Sequence, residues 1–72
     1  MDYVDLGESR IRDATSESLL VEIEGNRVWV PRSVFHPDTD VYNRNRGDFI
    51  DVVVTEEWAQ NTGHSWPGPI VV

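Results

Sequence analysis

Apolar and polar residues alternate most clearly along Ser18-Leu19-Leu20-Val21-Glu22-Ile23-Glu24-Gly25-Asn26-Arg27-Val28-Trp29-Val30-Pro31. A period of two marks half-buried strands, and Gly25-Asn26 between two such runs predicts a hairpin with a positive φ at the first central turn position. In that register Glu24 lies opposite Arg27, Ile23 opposite Val28, Glu22 opposite Trp29 and Val21 opposite Val30. Leu19, Val21, Ile23, Val28 and Val30 then form a core face. Leu20, Glu22, Glu24, Arg27 and Trp29 form the opposite face.

Pro31 has no N–H to donate and ends the second strand as a central ladder. Ser33-Val34-Phe35 reads as one turn of 3-10 helix, His36 to Asp40 as loop, Val41-Tyr42 as a short strand and Asn43 to Gly47 as a second turn. Asp48 to Val54 is the strongest strand in the chain, with Ile50, Val52 and Val54 facing the core and Asp51 facing water. Thr55 to Gly63 reads as a short helix: Thr55 caps it, Glu56 and Glu57 suit its positive end, Gly63 ends it, and Trp58 packs inward. Upstream, Tyr3 to Leu6 and Ser9 to Ala14 are predicted strands separated by Gly7. The fold class is therefore mostly β, a small antiparallel barrel of four to five strands with one short C-terminal helix. Residues 1–63 form the domain, and the Pro/Gly-rich tail, residues 64–72, is expected to return to the barrel as an edge strand and leave a monomer or weak homodimer.

Seventy-two residues allow one core and leave little apolar material for a catalytic cleft. No cysteine is present, so neither disulfides nor thiolate metal sites supplement that core. The N-terminal residues lack a signal-peptide pattern and no apolar run spans a bilayer, so the expected location is the cytoplasm. His36 with Asp38 and Asp40 is the one cluster of metal-ligand types, and it reads as a solvated acidic loop; no cofactor or metal is expected. Neither His36 nor His64 stands in a nucleophilic motif, which points away from an enzyme.

The stretch from Ala14 to Val34, with its Ala14-Thr15 entry, its glycine turn and its Trp29-Val30-Pro31-Arg32-Ser33 element, followed by Glu57-Trp58, resembles a recurrent small domain of bacteriophage proteins. The resemblance spans about fifty residues, 14–63. It implies a Src-homology-3-type barrel encoded by a phage or prophage, and it implies no activity. The chain departs from the pattern in its acidity, in arginine instead of lysine at Arg32, and in its proline-rich tail.

Thirteen acidic residues against six arginines give a formal charge of -7, which opposes general binding to phosphate backbones and favours basic partners. With the phage resemblance, this suggests a non-enzymatic inhibitor of a host nucleic-acid-handling defence complex, of anti-CRISPR type. Its candidate partner-binding residues are Glu22, Glu24, Arg27, Trp29 and Asp51, an aromatic anchor among charges. The alternative is an accessory nucleic-acid-binding barrel using Arg10, Arg12, Arg44 and Arg46, with Arg44 and Arg46 as candidate phosphate contacts at a loop tip.

Overall fold

The computed structural model describes residues 2–61 and the backbone of Ile70–Val71. Strands β1 (Tyr3–Arg10), β2 (Asp13–Ala14), β3 (Ser18–Ile23) and β4 (Asn26–Pro31) lead into a 3-10 turn (Arg32–Val34). Strand β5 (Phe49–Thr55), helix α1 (Glu56–Asn61) and strand β6 (Ile70–Val71) follow. Two three-stranded antiparallel sheets result, ordered β5-β1-β6 and β2-β3-β4. They share one core containing Val4, Ile11, Leu19, Val21, Val30, Phe35, Val41, Val52 and Val54. No closed barrel is found among the described residues. No helix among the described residues is long and apolar enough to cross a membrane.

The hairpin forms, but its turn is Glu24-Gly25, one residue earlier than expected, with φ of 52° and 80°. The pairs are Ile23 with Asn26, Glu22 with Arg27, Val21 with Val28, Leu20 with Trp29, Leu19 with Val30 and Ser18 with Pro31. This corrects the register by two residues. A slip of two preserves the alternation, so Leu19, Val21, Ile23, Val28 and Val30 are buried as expected and core burial cannot discriminate the two registers. Turn chemistry can: positive φ at both central positions makes a type I′ turn, whose twist matches the strands, and Gly25 occupies the second position without strain.

Gly7 does not divide two strands. β1 runs through it, and the pairing steps from Asp5 opposite Val53 to Glu8 opposite Asp51, which inserts one extra residue on β1. Gly7 adopts φ 97° in this bulge, and its N–H donates to Asp5 Oδ1 at 2.8 Å. The bulge places Val4 and Ser9 inward on either side of it and Glu8 and Arg10 outward. Beyond Arg10 the chain changes partners, because the Ile11 N–H donates to the Asp48 carbonyl and the Arg12 N–H to the Leu20 carbonyl.

The short strand expected at Val41-Tyr42 is absent. Val41 is buried, its N–H donates to the Thr39 carbonyl and its own carbonyl accepts from the Arg32 guanidinium, so its backbone groups are occupied within the loop. Ile50, Val52 and Val54 face inward and Asp51 outward along β5. The Thr55 hydroxyl oxygen accepts from the Trp58 N–H at 3.2 Å and caps α1, which packs Ala59 fully and Trp58 partly against the core. The expected helix end at Gly63, together with His64, Trp66 and Pro67-Gly68-Pro69, lies outside the described residues. The backbone of Ile70–Val71 pairs antiparallel with Val4 and Asp5 on the free edge of β1.

Candidate binding surfaces

The outer face of β3 and β4 follows from the same alternation that builds the core. With Val28 and Val30 inward, Trp29 must point outward, and it is 46% exposed. Its cross-strand neighbour is Leu20, which is opposite Asp13 on its other side. The next row pairs Glu22 with Arg27. Glu22 Oε2 also lies 3.4 Å from Arg12 Nη2, with both side chains more than a third exposed. Such a pair contributes on the order of 0–1 kcal/mol, so it orders this edge more than it stabilises the fold. Glu24 occupies the hairpin tip. Four of the expected partner-binding residues, Glu22, Glu24, Arg27 and Trp29, thus belong to one hairpin.

Asp51 stands apart from them. It sits on the outer face of the other sheet, directly opposite Glu8, and both carboxylates are exposed. Like charges placed opposite one another in a ladder are destabilising. Glu8 was not among the expected site residues, because its place opposite Asp51 depends on the bulge at Gly7 and on a pairing between distant segments.

The arginines separate in the same way. Arg10, Arg12 and Arg46 line one open cleft together with Ile11 and Gly47. Within that lining the Gly47 N–H donates to the Ile11 carbonyl at 2.8 Å. Arg44 is not in this lining, although its carbonyl accepts from Arg32 Nη1 at 3.1 Å. Phe49, the cross-strand neighbour of Arg10, is 62% exposed. The sequence carried a signal for that exposure: if Ile50 faces inward, Phe49 must face out.

Arg32 is buried, and its guanidinium donates to the carbonyls of Thr15, Val41 and Arg44. At the loop, His36 Nδ1 accepts from the Asp38 N–H at 3.1 Å, and the Asp40 carboxylate accepts from the Asn43 side chain. His36 also stacks edge-on against Tyr3 at a centroid distance of 4.6 Å. Among the described residues no three His, Cys, Asp or Glu side chains are placed to hold a metal ion. Comparison of the chain with protein-family models, curated proteins and solved structures returned no match. The functional reading therefore rests on these surfaces.

Proposed function

We propose that this protein is a non-enzymatic binding domain of phage type that engages a host nucleic-acid-handling protein through the outer face of its hairpin, with the acidic row of the other sheet as a second contact. The class of partner in view is a defence complex with a basic surface, such as a CRISPR effector. The observation that carries the reading is Trp29, nearly half exposed beside Leu20 and bordered by Glu22 and Arg27. A large aromatic with an apolar neighbour and a charged rim is the composition of an interface anchor. The opposed carboxylates of Glu8 and Asp51 support a basic partner, since they would be relieved by a cation placed between them. In a channel that normally holds nucleic acid, such carboxylates compete with phosphate for arginine and lysine.

The finer architecture that accompanies this proposal is a Src-homology-3-type barrel. It is supported by two contacts to the β5-β1-β6 sheet: Phe35, just after the 3-10 turn, bridges to Val54, and the Ser9 hydroxyl accepts from the Glu22 N–H at 2.9 Å.

The test is affinity capture from host lysate with the intact protein and its Trp29→Ala variant, followed by mass spectrometry. A basic nucleic-acid-binding protein enriched by the intact chain and reduced at least tenfold by the variant is expected, because truncating a central aromatic anchor typically costs about 2 kcal/mol or more. No enrichment over a charge-matched control protein would sink the reading.

A further inference from the structure

We propose that the cleft between the end of β1 and the Arg46-Gly47 turn is a second binding site, for single-stranded nucleic acid. A backbone phosphate would sit among Arg10, Arg12 and Arg46, and the adjoining base would stack on Phe49. The chain has 13 acidic residues and six arginines, yet three of those arginines converge on one cleft whose lining includes no carboxylate. Arg10 and Arg46 have no ion pair among the described residues, and Arg12 makes only the exposed contact with Glu22. Side chains directly opposite in an antiparallel ladder have Cβ atoms about 5 Å apart. Phe49 is therefore the exposed cross-strand neighbour of Arg10, next to the cleft though outside its lining.

Cations beside an exposed aromatic face are the two elements of single-strand recognition, phosphate neutralisation and base stacking. An acidic peptide would use the arginines but has no need of the ring. A duplex keeps its bases stacked on each other and would leave Phe49 without a partner.

The overall charge of -7 does not decide the matter. At physiological ionic strength the screening length is about 8 Å, whereas the molecule extends 26 × 25 × 18 Å, so acids on remote faces are largely screened at the cleft. The near ones are already placed: Glu22 faces Arg12, and Asp48 Oδ2 accepts from the Asn45 N–H at 2.9 Å. Glu8 and Asp51 form the next outward-facing row of the ladder, two residues along from Arg10 and Phe49. Their repulsion directs a bound strand away from that row, toward Arg12 and the Arg46 turn.

Fluorescence anisotropy of a labelled oligothymidylate of about ten nucleotides, within the site sizes typical of small barrels, tests the proposal with the full chain. Saturable binding is expected, with log affinity falling against log salt at a slope of about -0.7 for the one phosphate held among the three arginines. Arg10→Gln and Arg46→Gln should each weaken binding several-fold. Phe49→Leu, which keeps an apolar side chain but removes the stacking face, should weaken it roughly fivefold to a hundredfold. All three positions are exposed, so unchanged thermal midpoints are expected and would show that the losses are local. A flat titration to about 100 μM, the weak limit of sequence-independent binding, overturns the proposal. So does tighter binding of duplex DNA, or displacement by polyglutamate as effective as by oligonucleotide with Phe49→Leu behaving as the parent.

Discussion

Arg32 carries the largest local stake in the fold. It is only 6% exposed, and no carboxylate among the described residues neutralises it. Burying a cation costs several kcal/mol unless its donors are all engaged. Here Nε and Nη2 both reach the Thr15 carbonyl, and Nη1 reaches those of Val41 and Arg44. One side chain thereby ties the entry of β3 to the loop that presents Arg44 and Arg46. Arg32→Met would strand those carbonyls and is expected to lower stability by about 3 kcal/mol. Arg32→Lys keeps the charge but loses the planar fork, and should fall between the two. Urea unfolding at a constant slope measures both, and a cost below about 1 kcal/mol for the methionine variant would show that the loop holds itself without the guanidinium.

Turn chemistry decides more than propensity at the level of elements. The left-handed conformation costs a residue with a side chain roughly 1–2 kcal/mol, and Glu24 bears that cost at φ 52°. Asparagine tolerates this region better and is the preferred first residue of a type I′ turn. Glu24→Asn is therefore expected to raise the thermal midpoint by several degrees, since about 1 kcal/mol shifts a domain of this size by roughly 4–8 °C. Gly25→Ala should lower it by a similar amount. A Cβ at Gly25 meets no atom within 4 Å, so that loss would report backbone strain and not a clash. If scanning calorimetry shows both variants unchanged, the turn is not the one described. In β1 and β5, Asp51→Asn removes one of two opposed carboxylates and should stabilise the ladder by a few tenths of a kcal/mol. The same change should weaken capture of a basic partner, which separates the functional from the structural effect.

At the scale of the whole molecule, the exposed features sort onto separate sheets. The aromatic anchor lies on β2-β3-β4 and the opposed acids on β5-β1-β6, while the arginine cleft forms where the chain crosses from β1 to β2. The last described strand, β6, pairs with Val4 and Asp5 and covers the edge of β1. Removing residues 70–72 would leave those backbone groups unpaired and open an edge that can recruit another chain. Truncation is expected to lower the thermal midpoint by several degrees and to promote self-association in sedimentation. A dimer of the intact chain that disappears on truncation would instead mean that this strand pairs between copies.

On the hairpin and β5 the core residues were determined by sequence alone, because strand alternation is a local property: Leu19, Val21, Ile23, Val28, Val30, Ile50, Val52 and Val54 are all buried, whereas Val4, Ile11, Phe35 and Val41 join the core through the tertiary structure. The cap at Thr55 and the outward positions of Asp51 and Trp29 follow from the same local rules. Register was not settled this way, because slipping the hairpin by two residues leaves every face unchanged and only the turn's backbone angles distinguish the alternatives. The sequence marked Gly7 as a break, but whether a glycine ends a strand or bulges it depends on a partner, and that partner is β5, more than forty residues away. The burial of Arg32 was not legible, since nothing local shows that three carbonyls from two distant loops converge on it. The convergence of Arg10 and Arg12 with Arg46, the separation of Arg44 from them, and the meeting of Glu8 with Asp51 likewise belong to the tertiary structure. Each joins residues from separate chain segments, and a one-dimensional pattern carries no information about which segments pair.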